Sequence, residues 1–331
     1  MKLYTHVIEE LVNDLKEKLS LLFDTTKPYA LLDFPDHQNV GDSAIWLGEV
    51  KLLEQLTKRA PSYVCTYKNF DAKEFEENVK EGPIFLHGGG NFGDIWPWYQ
   101  DFRESILKKY PDRLIIQLPQ TLGFSSQDKV DRCAKVIAQH KNFILMTRDS
   151  VSYDLAKENF QCKVLMAPDS ALCLGPLEKQ GKTKHNVLVL SRTDKEKGSF
   201  DFNELTSIDD HINADWITEP SNFKSVTKLR SAIEALATFS LSRSSRRFIF
   251  YQNLANGRLD RGVKLLSSCN VVVTDRLHAH ILSTLLGLPN ISIDNNYGKI
   301  KNFIKAWTSE CNIVHQAKTP SEVLSIVRNR A

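Results

Sequence analysis

The chain has 331 residues, which at roughly 150 residues per domain is enough for two domains. Hydrophobic residues at 42% and charged residues at 25% exclude a disordered chain, a collagen and a disulfide miniprotein. Lys and Arg number 43 against 40 Asp and Glu, a formal charge of +3, so no global field demands nucleic acid and any basic site is a local cluster.

No stretch approaches the ~18 consecutive apolar residues of a spanning helix, and the first residues lack the apolar core of a signal peptide. The cysteines Cys65, Cys133, Cys162, Cys173, Cys269 and Cys311 are far apart and form no C-x-x-C pair. They read as free, mostly buried thiols in a reducing cytosol.

The chain opens with Ile8, Leu11, Val12, Leu15, Leu19 and Leu22 on one helical stripe. Its polar face mixes acids and bases, which favours packing on a sheet over lying on a membrane. YALLDF (29–34) predicts a buried strand, followed by a helix capped by Asp42 or Ser43 and carrying Ile45, Leu52, Leu53 and Leu56. Further strands are predicted at 84–86, 114–118, 143–146 and 164–166. Each is short and apolar on both faces, the signature of a parallel sheet covered on both sides.

A polar linker with Gly and Pro at 175–182 divides residues 1–175 from 183–331. The pattern then restarts: strands at 187–190, 248–251, 271–273 and 291–293, and helices at 229–241, 278–286, 298–307 and 320–328. The polar stretch 194–222 reads as a mobile loop. The expected architecture is two α/β halves facing a cleft, with ligands beyond the carboxyl ends of the strands.

Several strand exits carry polar residues that can do chemistry. In Asp33 to Asp42, Asn39 and Gly41 suit a tight turn and Asp42 a helix cap, while His37, Asn39 and Asp42 also suit sugar hydroxyls. His87-Gly88-Gly89-Gly90-Asn91-Phe92-Gly93-Asp94 is either a phosphate cradle or a strand-to-helix turn beside a bulky neighbour, and matches neither G-x-G-x-x-G nor a P-loop. Gln120 ends another strand. Arg148, closely following FILM, either emerges at the cleft or forms an ion pair with Asp149 or Asp169.

The most informative exit is Thr274-Asp275-Arg276-Leu277-His278, where a strand delivers its residues to the start of a helix. Arg276 can fork onto a carboxylate or phosphate, helix amides add donors, and His278 can pass a proton near neutral pH. His280 faces a different direction. Lys299, after NISI, and Arg192, after the 187–191 strand, are either further rim cations or solvated surface charges. No spacing suits zinc, no D-x-D follows a strand, and no serine nucleophile elbow is present, so no metal is expected.

In series, Asn39-x-Gly41-Asp42, Gly88-Gly89-Gly90-Asn91, Gln120, Thr147-Arg148-Asp149-Ser150, Pro168-Asp169, Asp275-Arg276-Leu277-His278 and Tyr297-x-Lys299 resemble the polysaccharide pyruvyltransferase family. The wording around Trp96 and Ser191-Arg192 is similar to its bacterial exopolysaccharide branch. The resemblance implies a GT-B-like fold of two Rossmann-type domains. It implies phosphoenolpyruvate as co-substrate with no cofactor, a sugar or lipid-linked oligosaccharide as acceptor, and a cyclic pyruvate ketal as product. It places Arg276, His278, Lys299 and Arg148 as catalytic and donor-binding residues with Arg192 beside them, and the acceptor near Asn39, Asp42, Asn91 and Asp94. The implied location is cytoplasmic, at the inner face of the membrane, where Leu19 to Phe23 offers peripheral contact. Two rival readings are a nucleotide-sugar glycosyltransferase, with Arg276 and Lys299 on a diphosphate, and a non-catalytic scaffold that keeps the cleft.

Overall fold

A computed structural model describes the chain except residues 194–197, 199, 241, 295–297 and 329–331. Tyr297 of the Tyr297-x-Lys299 motif, the end of the helix expected at 229–241 and part of the stretch 194–222 therefore lie outside the described residues.

The first half forms β1 (Ala30–Leu32), β2 (Tyr63–Cys65), β3 (Ile84–Leu86), β4 (Gly89–Gly93), β5 (Ile115–Gly123), β6 (Phe143–Thr147) and β7 (Lys163–Met166). All pair in parallel in the order β2-β1-β3-β5-β6-β7, with β4 also paired to β5. The second half forms β8 (His185–Leu190), β9 (His211–Ala214), β10 (Cys269–Thr274), β11 (Asn290–Ser292) and β12 (Val314–Gln316). These are likewise parallel, in the order β12-β11-β10-β8-β9. The helices are α1 (Tyr4–Ser20), α2 (Val40–Thr57), α3 (Ala72–Asn78), α4 (Pro97–Lys109), α5 (Gln127–Ala138), α6 (Ser150–Asn159), α7 (Phe223–Ala237), α8 (Arg243–Leu266), α9 (Leu277–Leu285), α10 (Lys299–Phe303) and α11 (Pro320–Arg328). Parallel strands need crossover helices, which cover both faces of each sheet; this is why the strands read as unbroken apolar runs.

One hydrophobic cluster runs from Leu31, Trp46 and Phe85 through Leu188, Val272 and Leu282, so the two sheets share a core on their facing sides. Separate clusters fill the outer faces. The α1 stripe is packed as its spacing implies: Val7, Ile8, Leu15 and Leu19 are buried. Leu22 and Phe23 pack partly buried against the shared core, while Leu21 is exposed. No helix among the described residues is long and apolar enough to cross one. Cys65, Cys133, Cys173, Cys269 and Cys311 are free and buried, and Cys162 is free and half-buried.

Four local expectations change. Helix α2 starts at Val40, not after Asp42: Asn39 caps it by accepting from the Gly41 N–H at 3.1 Å, and Asp42 is a first-turn acid that favours the helix dipole. The glycine segment after β3 is itself a strand, β4, which continues along β5 after a register shift. Residues 248–251, expected as a strand, lie inside α8, where Leu254, Leu259, Val263 and Leu266 continue the pattern at helical spacing. A short aromatic run carries no period that separates the two states. The stretch 194–222 contains a 3₁₀ segment at Phe202–Ser207 and edge strand β9.

Candidate active site between the two sheets

A cavity of about 430 Å³ opens between the carboxyl ends of the two sheets. The first half supplies Asp33, His37, Asn39, Asp42, His87, Gly90, Asn91, Trp96, Trp98, Tyr99 and Arg148; the second supplies Arg192, Trp216, Ile217, Arg276, Leu277, His278 and Lys299. Of the residues singled out in the sequence, Arg148, Arg192, Arg276, His278, Lys299, Asn39, Asp42 and Asn91 all line it. Asp94 does not. It accepts from the Ser125 N–H at 2.8 Å and from the Ser125 hydroxyl, tying β4 to the segment that follows β5. It follows Gly93, which adopts a positive φ of +114.

Arg148 leaves β6 and is 3% exposed. Its Nε donates to the Thr121 hydroxyl at 2.9 Å and Nη1 donates to Asp169; the Trp307 indole donates to its carbonyl at 2.8 Å. The ion-pair and cleft readings of Arg148 thus both hold, with Asp169 as partner, while Asp149 instead caps α6 through the Ser152 N–H. Burial opposes ionisation of Asp169, but Arg148, His278 and the Ala171 N–H outweigh it and hold the carboxyl well below its usual range.

Arg276 follows β10 as the N-cap residue of α9, and its Nη2 donates to Asp215 at 2.7 Å. Asp275 turns the other way, where its Oδ1 accepts from the Arg192 N–H at 2.8 Å and joins the exits of β8 and β10. His278 is in the first turn of α9, and its Nε2 stands 3.5 Å from Asp169 Oδ2, an electrostatic contact too long for a firm hydrogen bond. His280, two residues on, is buried between Asn290 and Thr308, and burial pushes its pKa down to about 4: it is a core histidine.

Glycines set the close approaches. A Cβ on Gly41 would lie 2.4 Å from His278 Nδ1, so the imidazole rests on the bare backbone of α2. A Cβ on Gly90 would lie 3.0 Å from Arg148 Nη2 and 3.7 Å from Lys299 Nζ. Gly90 therefore marks where cations from opposite halves converge. Asn91 is held beside them: its Oδ1 accepts from Gln120 Nε2 and Arg103 Nη2, both at 2.9 Å.

The first half also supplies acids and histidines to the lining. Asn39 Nδ2 donates to Asp42 at 2.8 Å. Burial disfavours the Asp42 carboxylate, but His37, His278, His87 and Arg148 together keep it below its usual range. Two groups here were not singled out from the sequence. Asp33, at the end of β1, has a buried Oδ1 with no hydrogen-bond partner among the described residues, and burial pushes its carboxyl up to about 6 against the pull of His87 and Arg103. His87, at the end of β3, is fixed by Glu49, whose carboxylate lies 2.7 Å from Nδ1 and also accepts from the Gly88 N–H. Burial disfavours the imidazolium, yet Glu49 overrides it and raises the His87 pKa. With Nδ1 committed, His87 Nε2 makes no hydrogen bond among the described residues and belongs to a cavity-lining ring. The signal for both residues was the one that named Arg148 and Arg276: a polar side chain directly after a buried strand.

The arrangement is a slot with cations from both halves around Gly90, an imidazole on the same lining, and titratable oxygen and nitrogen groups of the first half in the same cavity. It can neutralise a small polyanion and move protons on either side of it.

The family profile described as "Polysaccharide pyruvyl transferase" matches residues 39–297. The chain is 32% identical over 302 residues to "Pyruvyl transferase 1" of Schizosaccharomyces pombe, covering 88% of this chain and 72% of that protein. It is 31% identical over 305 residues to "Putative pyruvyl transferase EpsO" of Bacillus subtilis, covering 88% and 90%. The crystal structure of an uncharacterized Klebsiella pneumoniae protein superposes with a TM-score of 0.59 at 17% identity, over 92% of this chain and 99% of that one, a likeness of fold.

Proposed function

We propose that this chain, which belongs to the polysaccharide pyruvyl transferase family, transfers the pyruvyl group of phosphoenolpyruvate to two hydroxyls of a sugar, closing a cyclic ketal and releasing phosphate. The observation that carries the reading is the convergence of Arg148 with Lys299 at Gly90, on a cavity that Arg276 and His278 also line. Phosphoenolpyruvate joins a carboxylate to a phosphate, about three negative charges at neutral pH, and planar guanidinium groups suit both. Two parallel-sheet lobes facing such a slot are compatible with a GT-B-like arrangement.

In this reading His278, as imidazolium, protonates the methylene carbon of the donor. The adjacent carbon becomes electrophilic and a sugar hydroxyl adds to it, giving its proton to Asp33 or His87 across the cavity. The carbon–oxygen bond to phosphate then breaks, with Arg148, Arg276 and Lys299 stabilising the departing charge. A second hydroxyl closes the ketal, and its proton leaves with the phosphate. General acid catalysis of this kind contributes roughly 10²- to 10⁴-fold. The indoles of Trp96 and Trp98 on the rim suit the apolar face of a sugar ring. The acceptor in this reading is a lipid-linked precursor of an exopolysaccharide, met at the cytoplasmic face of the membrane, and each ketal adds one carboxylate to the polymer.

Phosphate release from phosphoenolpyruvate across a panel of acceptor glycosides tests this. The expected result is acceptor-dependent release that His278→Gln lowers at least about 100-fold. Nucleotide release from a nucleotide sugar, with none of phosphate from phosphoenolpyruvate, would assign the slot to glycosyl transfer.

A further inference from the structure

Helix α7 is built inside out. Val226, Leu229, Ile233 and Leu236 recur at helical spacing, and with Phe239 just beyond the helix they are between 59% and 84% exposed. The opposite face, which packs toward α8, consists of the small side chains Thr227, Ser231 and Ala235. A helix that only had to fold would bury the leucines and expose the hydroxyls. Phe239 adds to the anomaly, because a bulky residue is held at φ +52 while its ring stands in solvent. A contiguous apolar face of this kind marks an interaction surface.

We propose that this face of α7 docks the enzyme on an anionic lipid surface. Charge selects the occupant. Lys228 and Arg230 on α7 and Arg246 near the start of α8 are exposed beside this face, Lys224 and Arg243 being turned to Asp36 and to Asp71 and Glu74, while Glu234 is the one carboxylate in the sequence between residues 222 and 247. Apolar side chains flanked by cations match acyl chains beneath anionic headgroups. A two-fold contact with a second copy would set this cationic rim against itself.

Position supports the same occupant. Trp216 and Ile217 line the cavity shortly before α7 begins, and Lys224 pairs at 2.8 Å with Asp36, between the cavity-lining Pro35 and His37. The N-terminal end of α7 thus lies beside the cavity, so docking through α7 would bring that cavity near the headgroups, where a sugar carried on a lipid is presented. In naming that acceptor the proposal rests on the pyruvyl-transfer reading; the docking itself does not.

Co-sedimentation of the full chain with phosphatidylcholine–phosphatidylglycerol vesicles, without donor or acceptor, is the test. The wild type is expected to bind. Leu229→Glu with Ile233→Glu, both in exposed positions, should lower the partition coefficient at least about ten-fold. Lys228→Ser and Arg230→Ser should each lower it about five-fold, with no such effect on phosphatidylcholine alone. Phosphate release with a soluble acceptor should be unchanged in all of them. Failure of the wild type to bind, equal binding by the double Glu variant, or a wild-type dimer that Ile233→Glu converts to monomer would overturn the proposal. Vesicle binding without phosphoenolpyruvate turnover would instead remove the catalytic reading and leave the docking surface standing.

Discussion

Asp33 is held in a left-handed backbone conformation, φ +70, a cost of roughly 1–2 kcal/mol for a residue with a Cβ, and its carboxyl is buried with one oxygen unsatisfied. Such a site is stable only because the strand and its neighbours over-determine it, and it suits a group needed near its pKa. Burial raises that pKa to about 6. Below about pH 4 the acid is neutral in the folded and unfolded chain alike; between pH 4 and 6 the unfolded chain ionises first, and above 6 folding carries the full penalty, at most about 3 kcal/mol. An asparagine side chain tolerates the same φ and carries no charge. Asp33→Asn is therefore expected to raise the thermal midpoint at pH 8, leave it unchanged at pH 4, and lower turnover at both. A midpoint shift independent of pH would remove the buried-acid account. The strand-exit rule makes Asp33 legible in DFPD and His87 in IFLH, but their environments are not: Glu49, which fixes His87, is 38 residues upstream on α2. Asp94 shows the converse, a carboxylate in a suggestive segment that is tied instead to Ser125, 31 residues on.

At the scale of elements, the site is set by where helices begin. The first turn of α2 presents bare backbone to His278 in the first turn of α9, so two helix starts from different halves meet at Gly41. Gly to Ala inside a helix is otherwise favourable by about 1 kcal/mol. Gly41→Ala should therefore leave the secondary structure intact yet displace the imidazole and lower acceptor-dependent phosphate release at least about ten-fold, read by circular dichroism beside the phosphate assay. Unchanged turnover would show that His278 does not need that contact. Strands β1, β3, β6, β8 and β10 were legible because burial on both faces leaves an apolar run. Strand β4 was not, because three glycines carry no such pattern, and its pairing depends on β5 arriving 30 residues later. The run 248–251 was assigned to the wrong element because its aromatic residues serve helix α8: Tyr251 stacks on Phe34 with centroids 4.1 Å apart.

The whole molecule couples the two sheets through elements that cross between them. The segment before α1 bridges Lys2 to Cys311 in the second half. Helix α8 reaches back to the first, where Arg247 forks onto Glu74 with two contacts of 3.1 Å, Asn69 donates to Tyr251 at 2.9 Å, and fully buried Arg258 is shared among Glu219, Asp36 and the Pro35 carbonyl. Removing one partner of so buried a pair costs about 3–5 kcal/mol. With the core continuous as well, calorimetry should show one unfolding transition for the full chain; two resolved transitions would mean that each sheet unfolds alone. The interlocking was not legible, because it lies in pairings more than 150 residues apart.

Cations from both halves are proposed to hold one small polyanion. Isothermal titration of phosphoenolpyruvate into the wild type, Arg148→Gln and Arg276→Gln tests it, with a thermal midpoint for each variant to confirm folding. A charge-assisted bond lost from either side should raise Kd about 10- to 100-fold, and the two losses should be of similar size. An affinity that falls with one arginine and is untouched by the other would contradict the account, since the anion would then belong to one lobe alone.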